Sequence, residues 1–496
     1  MKCIKKILCG LLIAALGMQV SVTWTAAGMR TVQAEEGEEA QVQIIREDRG
    51  DMEPLIAIKI SDEQMDKIRQ ETNATQSWYG AGNSLEEEFL DCGSDFGYQD
   101  MAKRSSGGNR QYLYQKMEEL SRAFTLGQAG ATAVDLEGGE VCYAAGSINL
   151  SGHSLNDEEK VQSYFMFRND NPQYFWLSNM VVYSDNGLTV LTYDAYRNGA
   201  ARDAALQEIL GTMEQVYLSG IEAGDSQYRK VRKIHDALIA DIEYGETSDW
   251  EIAHSIAGAM TSSRLAVCEG YAKVMQLMMN YYDVSNIYVT GVAGGPHAWN
   301  MVQMGDGRYY WLDATWDDQE QYIFQHQYFL VGNQNFTDHT ADGPWGMYTD
   351  FLYEIPTASD TDYSVPLEAI APDRTQIYAS PGAAGVIGYT LKPKDTTEDV
   401  EVLFSSSAPE IVEVNALTGE WIALAEGNVT ITLDAGGGVT AQCTVTVEDV
   451  VRGDVDGDGQ TGISDLRLIL RHVCDKINLT DTQIEAGAGG VRLYMT

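Results

Sequence analysis

The chain has 496 residues, with 33 Lys and Arg against 73 Asp and Glu, and 44% of its residues are hydrophobic. That length calls for several domains and that apolar content supplies real cores, which excludes a disordered protein. The net charge of −40 excludes nucleic acid as a partner, because phosphates are repelled by such a surface.

Residues 1–34 read as a secretory signal. Lys2, Lys5 and Lys6 precede an apolar run from Ile7 to about Val22, and Val32-Gln-Ala34 offers a cleavage site before Glu35. Cys9 stands ahead of most of that run, which argues against a lipid anchor on it. No later stretch is long enough to cross a membrane, so the expected location is secreted, extracellular or cell-surface associated. Removing residues 1–34 takes away Lys2, Lys5, Lys6 and Arg30 and no acid. The mature charge is then 29 basic against 73 acidic residues, or −44. Mature cysteines are Cys92, Cys142, Cys268, Cys443 and Cys474. An odd count leaves at least one free thiol, and the other four are open to pairing or to remaining free.

Residues 35–108 are acidic and broken by Gly and Ser, predicting a partly ordered lead-in. Residues 109–222 predict an α/β subdomain with helices at 112–123 and 155–167. The run Asn169-Asp-Asn-Pro-Gln-Tyr-Phe-Trp-Leu177 then leads into a strand, with Tyr174, Phe175 and Trp176 read as packing residues.

The chemistry lies in residues 223–345, the expected catalytic core. Ala266-Val-Cys-Glu-Gly-Tyr271, Gly295-Pro-His-Ala-Trp-Asn300 and Trp311-Leu-Asp-Ala-Thr-Trp-Asp-Asp318 supply a thiol, an imidazole and a carboxylate in the order of a nucleophilic triad. A thiol attacks as thiolate, which an imidazole generates and a carboxylate supports by fixing the imidazole's tautomer. Tyr271, Val274, Met275, Met278 and Tyr281 recur at helical spacing, so Cys268 is expected at the start of a buried helix, where the dipole favours its anion. His297 and Asp313 fall on strand-like runs, 298–304 and 308–312, joined by Gly305-Asp306-Gly307 as a hairpin. A two-residue turn opposes Asp313 to Asn300 and turns it away from His297. A three-residue loop opposes it to Trp299, on His297's face. The chemistry requires the second register.

Other readings exist for single residues. A lone buried Cys is a small core hydrophobe, and the three residues lack the paired Cys/His spacings of structural zinc. His235, His254 and His326 read as helix-face or surface histidines. Asp317 and Asp318 read as a solvated strand end, either one a substitute for Asp313 were the register to differ.

The Cys-Glu-Gly-Tyr, His-Ala-Trp-Asn and Asp-x-Thr-Trp-Asp segments resemble the cores of the transglutaminase-like superfamily. The resemblance spans roughly Val231 to His339, with one more residue than usual between His and Asp, placed in the hairpin loop. It implies an α+β papain/transglutaminase-like fold in which Cys268 is the nucleophile, His297 the general base and acid, and Asp313 the orienting carboxylate. No cofactor is implied for catalysis. The Asn-Pro-x-x-Phe-Trp run is similar to segments preceding such cores in bacterial relatives.

Residues 346–365 read as a linker. From 366 to 447 the texture changes to short β-branched runs at 375–378, 400–404, 411–414, 429–433 and 443–447, separated by turns, which predicts an all-β sandwich. Ser405 to Val414, Ala425 to Thr432 and Cys443 to Val447 resemble bacterial Ig-like group 2 domains. In residues 448–496, Asp454, Asp456, Asp458 and Asp465 occupy positions 1, 3, 5 and 12 of a calcium loop, with the Gln460 carbonyl at 7 and Gly459 at 6. The loop and the helix expected at 466–473 resemble one EF-hand-like half of a dockerin type I module. That resemblance implies a structural calcium ion and a cohesin partner, although no second calcium loop follows Asp481-Thr-Gln-Ile-Glu485.

The chain therefore reads as a multidomain, secreted bacterial enzyme acting on protein or peptide amides through a cysteinyl thioester, attached to a cell-surface or cellulosome-type assembly. Hydrolysis and amine transfer both stay open. The alternative is a non-catalytic surface or scaffold-associated binding protein.

Overall fold

The computed structural model describes residues 52–73, 84–135, 141–245, 250–318, 326–341, 355–448, 453–456, 460–474, 476–479, 483–484 and 486, with the backbone of 20–24, 30–34 and 43–47. The chain divides into two compact units, Met1–Tyr363 and Ser364–Thr496.

The first unit contains an eight-stranded sheet. Its strands are β1 (Val20–Trp24), β2 (Arg30–Ala34), β3 (Gln43–Glu47), β4 (Leu55–Lys59), β5 (Thr132–Asp135), β6 (Val141–Asn149), β7 (Leu177–Ser184) and β8 (Gly187–Thr192), in the order β1-β2-β3-β4-β7-β8-β6-β5. All neighbours are antiparallel except β4 and β7. Most of the segment expected to be a signal lies outside the described residues, and the backbone of 20–24 and 30–34 pairs as a hairpin. Of helices α1 (Asp62–Asn73), α2 (Ser84–Leu90), α3 (Phe96–Lys103), α4 (Gly107–Thr125) and α5 (Asp157–Asp170), α1, α4 and α5 pack on this sheet and α3 packs on α4 and α5. Of the 35–108 segment, expected to be a partly ordered lead-in, the described residues supply β3, β4 and helices α1 to α3. Leu-Ile-Ala-Ile in β4 is buried throughout, the mark of a strand covered on both faces.

The remaining helices of this unit are α6 (Gly199–Thr212), α7 (Gln227–Asp241), α8 (Trp250–Ala253), α9 (Ile256–Met260), α10 (Cys268–Tyr281) and α11 (Ala314–Asp317). A short parallel pair joins β9 (Glu243–Tyr244) to β10 (Leu265–Ala266). A five-stranded sheet then runs β14-β13-β12-β11-β15, from β11 (Asn286–Val292), β12 (Pro296–Gln303), β13 (Tyr309–Leu312), β14 (Phe329–Val331) and β15 (Thr340–Ala341). Subdomain and catalytic core are not separate bodies: Phe124, Phe165 and Trp176 share one apolar cluster with Ile234, Met275 and Leu312. Tyr174, Phe175 and Trp176 are buried in it, as packing residues should be. Part of the expected linker also belongs here, since Ser359 N–H bonds the Tyr309 carbonyl at 2.8 Å and Tyr363 N–H the Leu330 carbonyl at 3.0 Å.

In the second unit, β17 (Gln376–Ala379), β24 (Thr440–Val447), β23 (Gly427–Asp434) and β20 (Leu403–Ser406) form one sheet in that order, and β18 (Ala384–Val386), β22 (Glu420–Ala423) and β21 (Val412–Val414) another. Strands β16 (Ala369–Pro372) and β19 (Tyr389–Lys392) pair beside them. Phe404, Ile431 and Val445 of the first sheet and Val412 and Trp421 of the second share one core, so the predicted sandwich forms. Helix α12 (Ile463–Val473) lies beyond it in the chain.

Candidate active site

Cys268 is the first residue of α10, and the chain before it enters extended, with Val267 at the N-cap. Gly270 lets this turn pack closely, since a Cβ there would lie 2.6 Å from the Ala253 carbonyl oxygen. Asn300 ties the nucleophile helix to the imidazole strand by donating from Nδ2 to the Ala272 carbonyl at 3.0 Å.

The hairpin has the register that the chemistry requires. Asn300 pairs with Leu312 and Gln303 with Tyr309, so the next pair sets Trp299 opposite Asp313. The loop is the three residues Gly305-Asp306-Gly307, closed by the Gly307 N–H on the Met304 carbonyl at 2.8 Å, with Gly307 at φ 79°. That conformation suits glycine. The extra residue is thus absorbed in the loop and both side chains share a face.

His297 Nε2 lies 2.7 Å from Asp313 Oδ2, which leaves Nδ1 for the Cys268 thiol, its other side-chain partner. Asp313 is itself fixed: as the N-cap of α11, its Oδ1 accepts the Thr315 and Trp316 N–H groups at 3.0 and 3.2 Å. Burial disfavours the His297 cation, but the hydrogen bonds to Asp313 and Cys268 prevail and raise its pKa to about 9. Burial likewise works against the Asp313 anion, and His297 and His339 outweigh it, holding the carboxyl below its ordinary value. The arrangement favours a protonated His297 imidazole beside the Asp313 carboxylate.

Sequence reasoning missed three contributors. His339 Nε2 lies 2.9 Å from the same Asp313 oxygen, and its ring stacks on Phe336 at 3.9 Å. With Trp299 and Trp316 nearby, these rings keep water from the carboxylate. Glu269, next to the thiol, accepts from the Glu53 N–H at 2.8 Å and the Tyr288 hydroxyl at 3.0 Å, and lies 2.6 Å from His254 Nδ1. Met52, held beside Glu53, packs with Cys268, Tyr288 and Ala298, so the thiol residue is only 4% exposed. Only the spare acid in Cys-Glu-Gly-Tyr hinted at this. Asp317 and Asp318 are not a solvated end. Asp317 is fully buried against His235, and Asp318 accepts from the Tyr271 hydroxyl.

All five cysteines among the described residues are free. Burial pushes the Cys92 thiol up to about 12, as expected of an inert core thiol. In the second unit, carboxylate oxygens of Asp454, Asp456 and Asp465 lie within 4.8 Å of one another. That fits a hard cation held by oxygen. Asp458 lies outside the described residues, and Gln460 is exposed. Leu466 and Leu470 of α12 are more than half exposed.

The mixed α/β core thus sets a cysteine, a histidine and an aspartate in line. The sequence pattern of the Transglutaminase-like superfamily matches residues 217–314, a span that contains all three residues. Solved structures similar to this chain include a TGase, 14% identical over 28% of this chain and 43% of that one, with a TM-score of 0.22. A candidate cysteine protease from Cytophaga hutchinsonii is 21% identical over 22% of this chain and 37% of that one, with a TM-score of 0.18. Domains 4 and 5 of the S-layer protein SbsC are 21% identical over 33% of this chain and 98% of that one, with a TM-score of 0.19. The chain spans less than half the length of the first two. No curated protein matches it.

Proposed function

We propose that the protein is a secreted cysteine-nucleophile enzyme that cleaves or transfers protein or peptide amides through a thioester on Cys268. The observation that carries this reading is His297 set between Cys268 and an Asp313 carboxylate that is itself pinned by two backbone N–H groups. The Cys268 thiolate attacks the amide carbonyl and forms the C–S bond. His297 passes its Nδ1 proton to the amine as the C–N bond breaks, and the thioester remains. Water or a second amine then attacks, with His297 taking the incoming proton. Water yields an acid and makes the enzyme a protease or amidase, whereas an amine yields a new amide.

The flanking parts support a surface role. Cleavage after Ala34 removes β1 and β2, the outermost strands of their sheet, and leaves the rest of it in place. The sandwich serves as an Ig-like spacer. Asp454, Asp456, Asp458, Asp465 and the Gln460 carbonyl would hold calcium, which relieves the repulsion of the converging carboxylates and orders the loop. The exposed Leu466 and Leu470 give a dockerin-like half an apolar face for a cohesin. The test is incubation of the mature protein with mixed peptide pools, read by mass spectrometry for cleavage, deamidation or isopeptide products. Cys268→Ala should abolish every product, and wild-type turnover in that variant would overturn the proposal.

A further inference from the structure

A second cluster of ligating side chains lies in the first unit, built from residues that share no motif in the sequence. Helix α7 carries His235 and Asp236, and His326 stands just before β14. His235 Nδ1 lies 3.1 Å and His326 Nε2 2.7 Å from the same Asp236 oxygen, Oδ1. One ligand atom from each of the three residues falls within 4.8 Å of the other two. Phe329 meets both imidazoles edge-on, with centroids at 5.0 and 5.4 Å, and forms an apolar wall. His235 is fully buried, whereas Asp236 and His326 keep 28% and 25% of their side chains exposed, so the cluster opens to solvent on one side.

The far side of His235 carries the independent observation. Its Nε2 lies 3.1 Å from Oδ2 of Asp317, a fully buried carboxylate whose Oδ1 accepts the Tyr328 N–H at 2.9 Å. Asp317 holds the Nε2 proton, and in a neutral imidazole that leaves Nδ1 as a bare acceptor. Yet Nδ1 faces another acceptor, the Asp236 carboxylate. Two acceptors pointed at each other need a cation between them. It is either a second proton, making a buried imidazolium, or a metal ion. A carboxylate bonded to the outer nitrogen of an inward-pointing histidine is the arrangement that orients metal-ligating imidazoles.

We propose that His235 Nδ1, Asp236 Oδ1 and His326 Nε2 bind a divalent transition metal of the zinc class, with Asp317 orienting His235 and a solvent molecule completing the coordination. Two imidazoles and one carboxylate suit zinc, and three protein ligands leave it an open position. Ligand atoms around tetrahedral zinc sit roughly 3.3 Å apart at zinc's usual bond lengths, so the 3.1 Å and 2.7 Å spacings to Asp236 need to open by about 0.2 and 0.6 Å. The ion would join α7, α11 and the approach to β14. Asp313 caps the other end of α11, so the metal would brace the turn that presents it.

The test uses the full chain, stripped with a chelator, held in calcium to fill the C-terminal loop and titrated with cobalt as the spectroscopic stand-in for zinc. The expected result is one equivalent bound, with visible bands of four-coordinate cobalt and no thiolate-to-cobalt charge-transfer band, which keeps the ion away from Cys268. His326→Ala should lose this binding at least a hundredfold, and Asp317→Asn should weaken it about tenfold to a hundredfold. His326 is part-exposed, so its variant should melt like the metal-free wild type, and zinc should raise the melting temperature of the wild type alone. The proposal is overturned if no stoichiometric cobalt binds, or if His326→Ala binds it as tightly as wild type. Nitrogen NMR showing both His235 ring nitrogens protonated in the presence of zinc would also overturn it.

Discussion

Replacing Asp313 with Asn tests the site at the group that fixes its protonation. In the native arrangement Asp313 Oδ2 faces the Nε2 atoms of both His297 and His339, and Oδ1 caps α11. The Asn side chain keeps the cap by pointing its carbonyl at Thr315 and Trp316, which leaves its NH2 group towards both imidazoles. That group donates to an unprotonated Nε2 and drives the His297 proton to Nδ1, the nitrogen that must accept the thiol proton. The electrostatic loss adds to this. Asp313 is one of two side chains, with Cys268, that hold the His297 cation at about 9 instead of 6.5 against the cost of burial; the net shift corresponds to about 3 to 4 kcal/mol in favour of the imidazolium, or roughly 300-fold.

Alkylation of Cys268 by chloroacetamide at neutral pH, followed peptide by peptide so that the other thiols do not interfere, reads the thiolate without a substrate. Asp313→Asn should slow it by about a hundredfold, the greater part of that shift. Amide turnover should fall further, to about ten-thousandfold, because the wrong tautomer also removes the base. A variant that melts cooperatively and alkylates at the wild-type rate would refute the reasoning.

Three other outcomes are expected. His297 binds its proton more tightly folded than unfolded, so its contribution to stability is complete below pH 6.5 and is lost as pH rises through about 9; urea unfolding that is level across this window would contradict it. Met52→Ala should cost about 2–5 kcal/mol as a buried truncation and speed Cys268 alkylation severalfold by uncovering the sulfur, and an unchanged rate would show that Met52 does not control access. Calcium added to the full chain should bind one ion at the C-terminal loop with a gain of helix that Asp454→Ala abolishes; absence of heat at about millimolar calcium would mark the loop as a relic.

The parts of this fold legible in sequence are those whose determinants are local. Helix α10 follows from the 3.6-residue spacing of Val274, Met275 and Met278, and the hairpin register from a Gly-Asp-Gly loop with glycine where φ is positive. Strand β4 was hidden because four apolar residues between acidic segments carry no period, and it is pairing with β3 on one side and with β7, more than a hundred residues later, on the other that makes them a strand. In the sandwich, β18 and β19 are short and largely exposed, and β22 buries only Trp421 and Ala423 of its four residues, so none of them carries a long apolar run. At the site, Cys268, His297 and Asp313 announced themselves through contiguous motifs. His339 and the His235–Asp236–His326 cluster did not, because their partners are supplied by chain segments brought together only in the folded state.

Five of the seven histidines in this acidic chain meet a carboxylate inside the first unit: His297 and His339 at Asp313, His235 at Asp317, His326 at Asp236 and His254 at Glu269. Burying either partner alone costs several kcal/mol, so each is tolerated only while the other and the backbone donors stay in place. Asp313 and Asp317 bracket the single turn of α11, and the Asp317 N–H closes that turn on the Asp313 carbonyl at 3.3 Å. Neither carboxylate can relax without moving the other's histidine. The Asp-Ala-Thr-Trp-Asp segment therefore works as one rigid bracket, with the imidazole of the thiol site on one end and a buried helix histidine on the other. Its second aspartate holds the first in position.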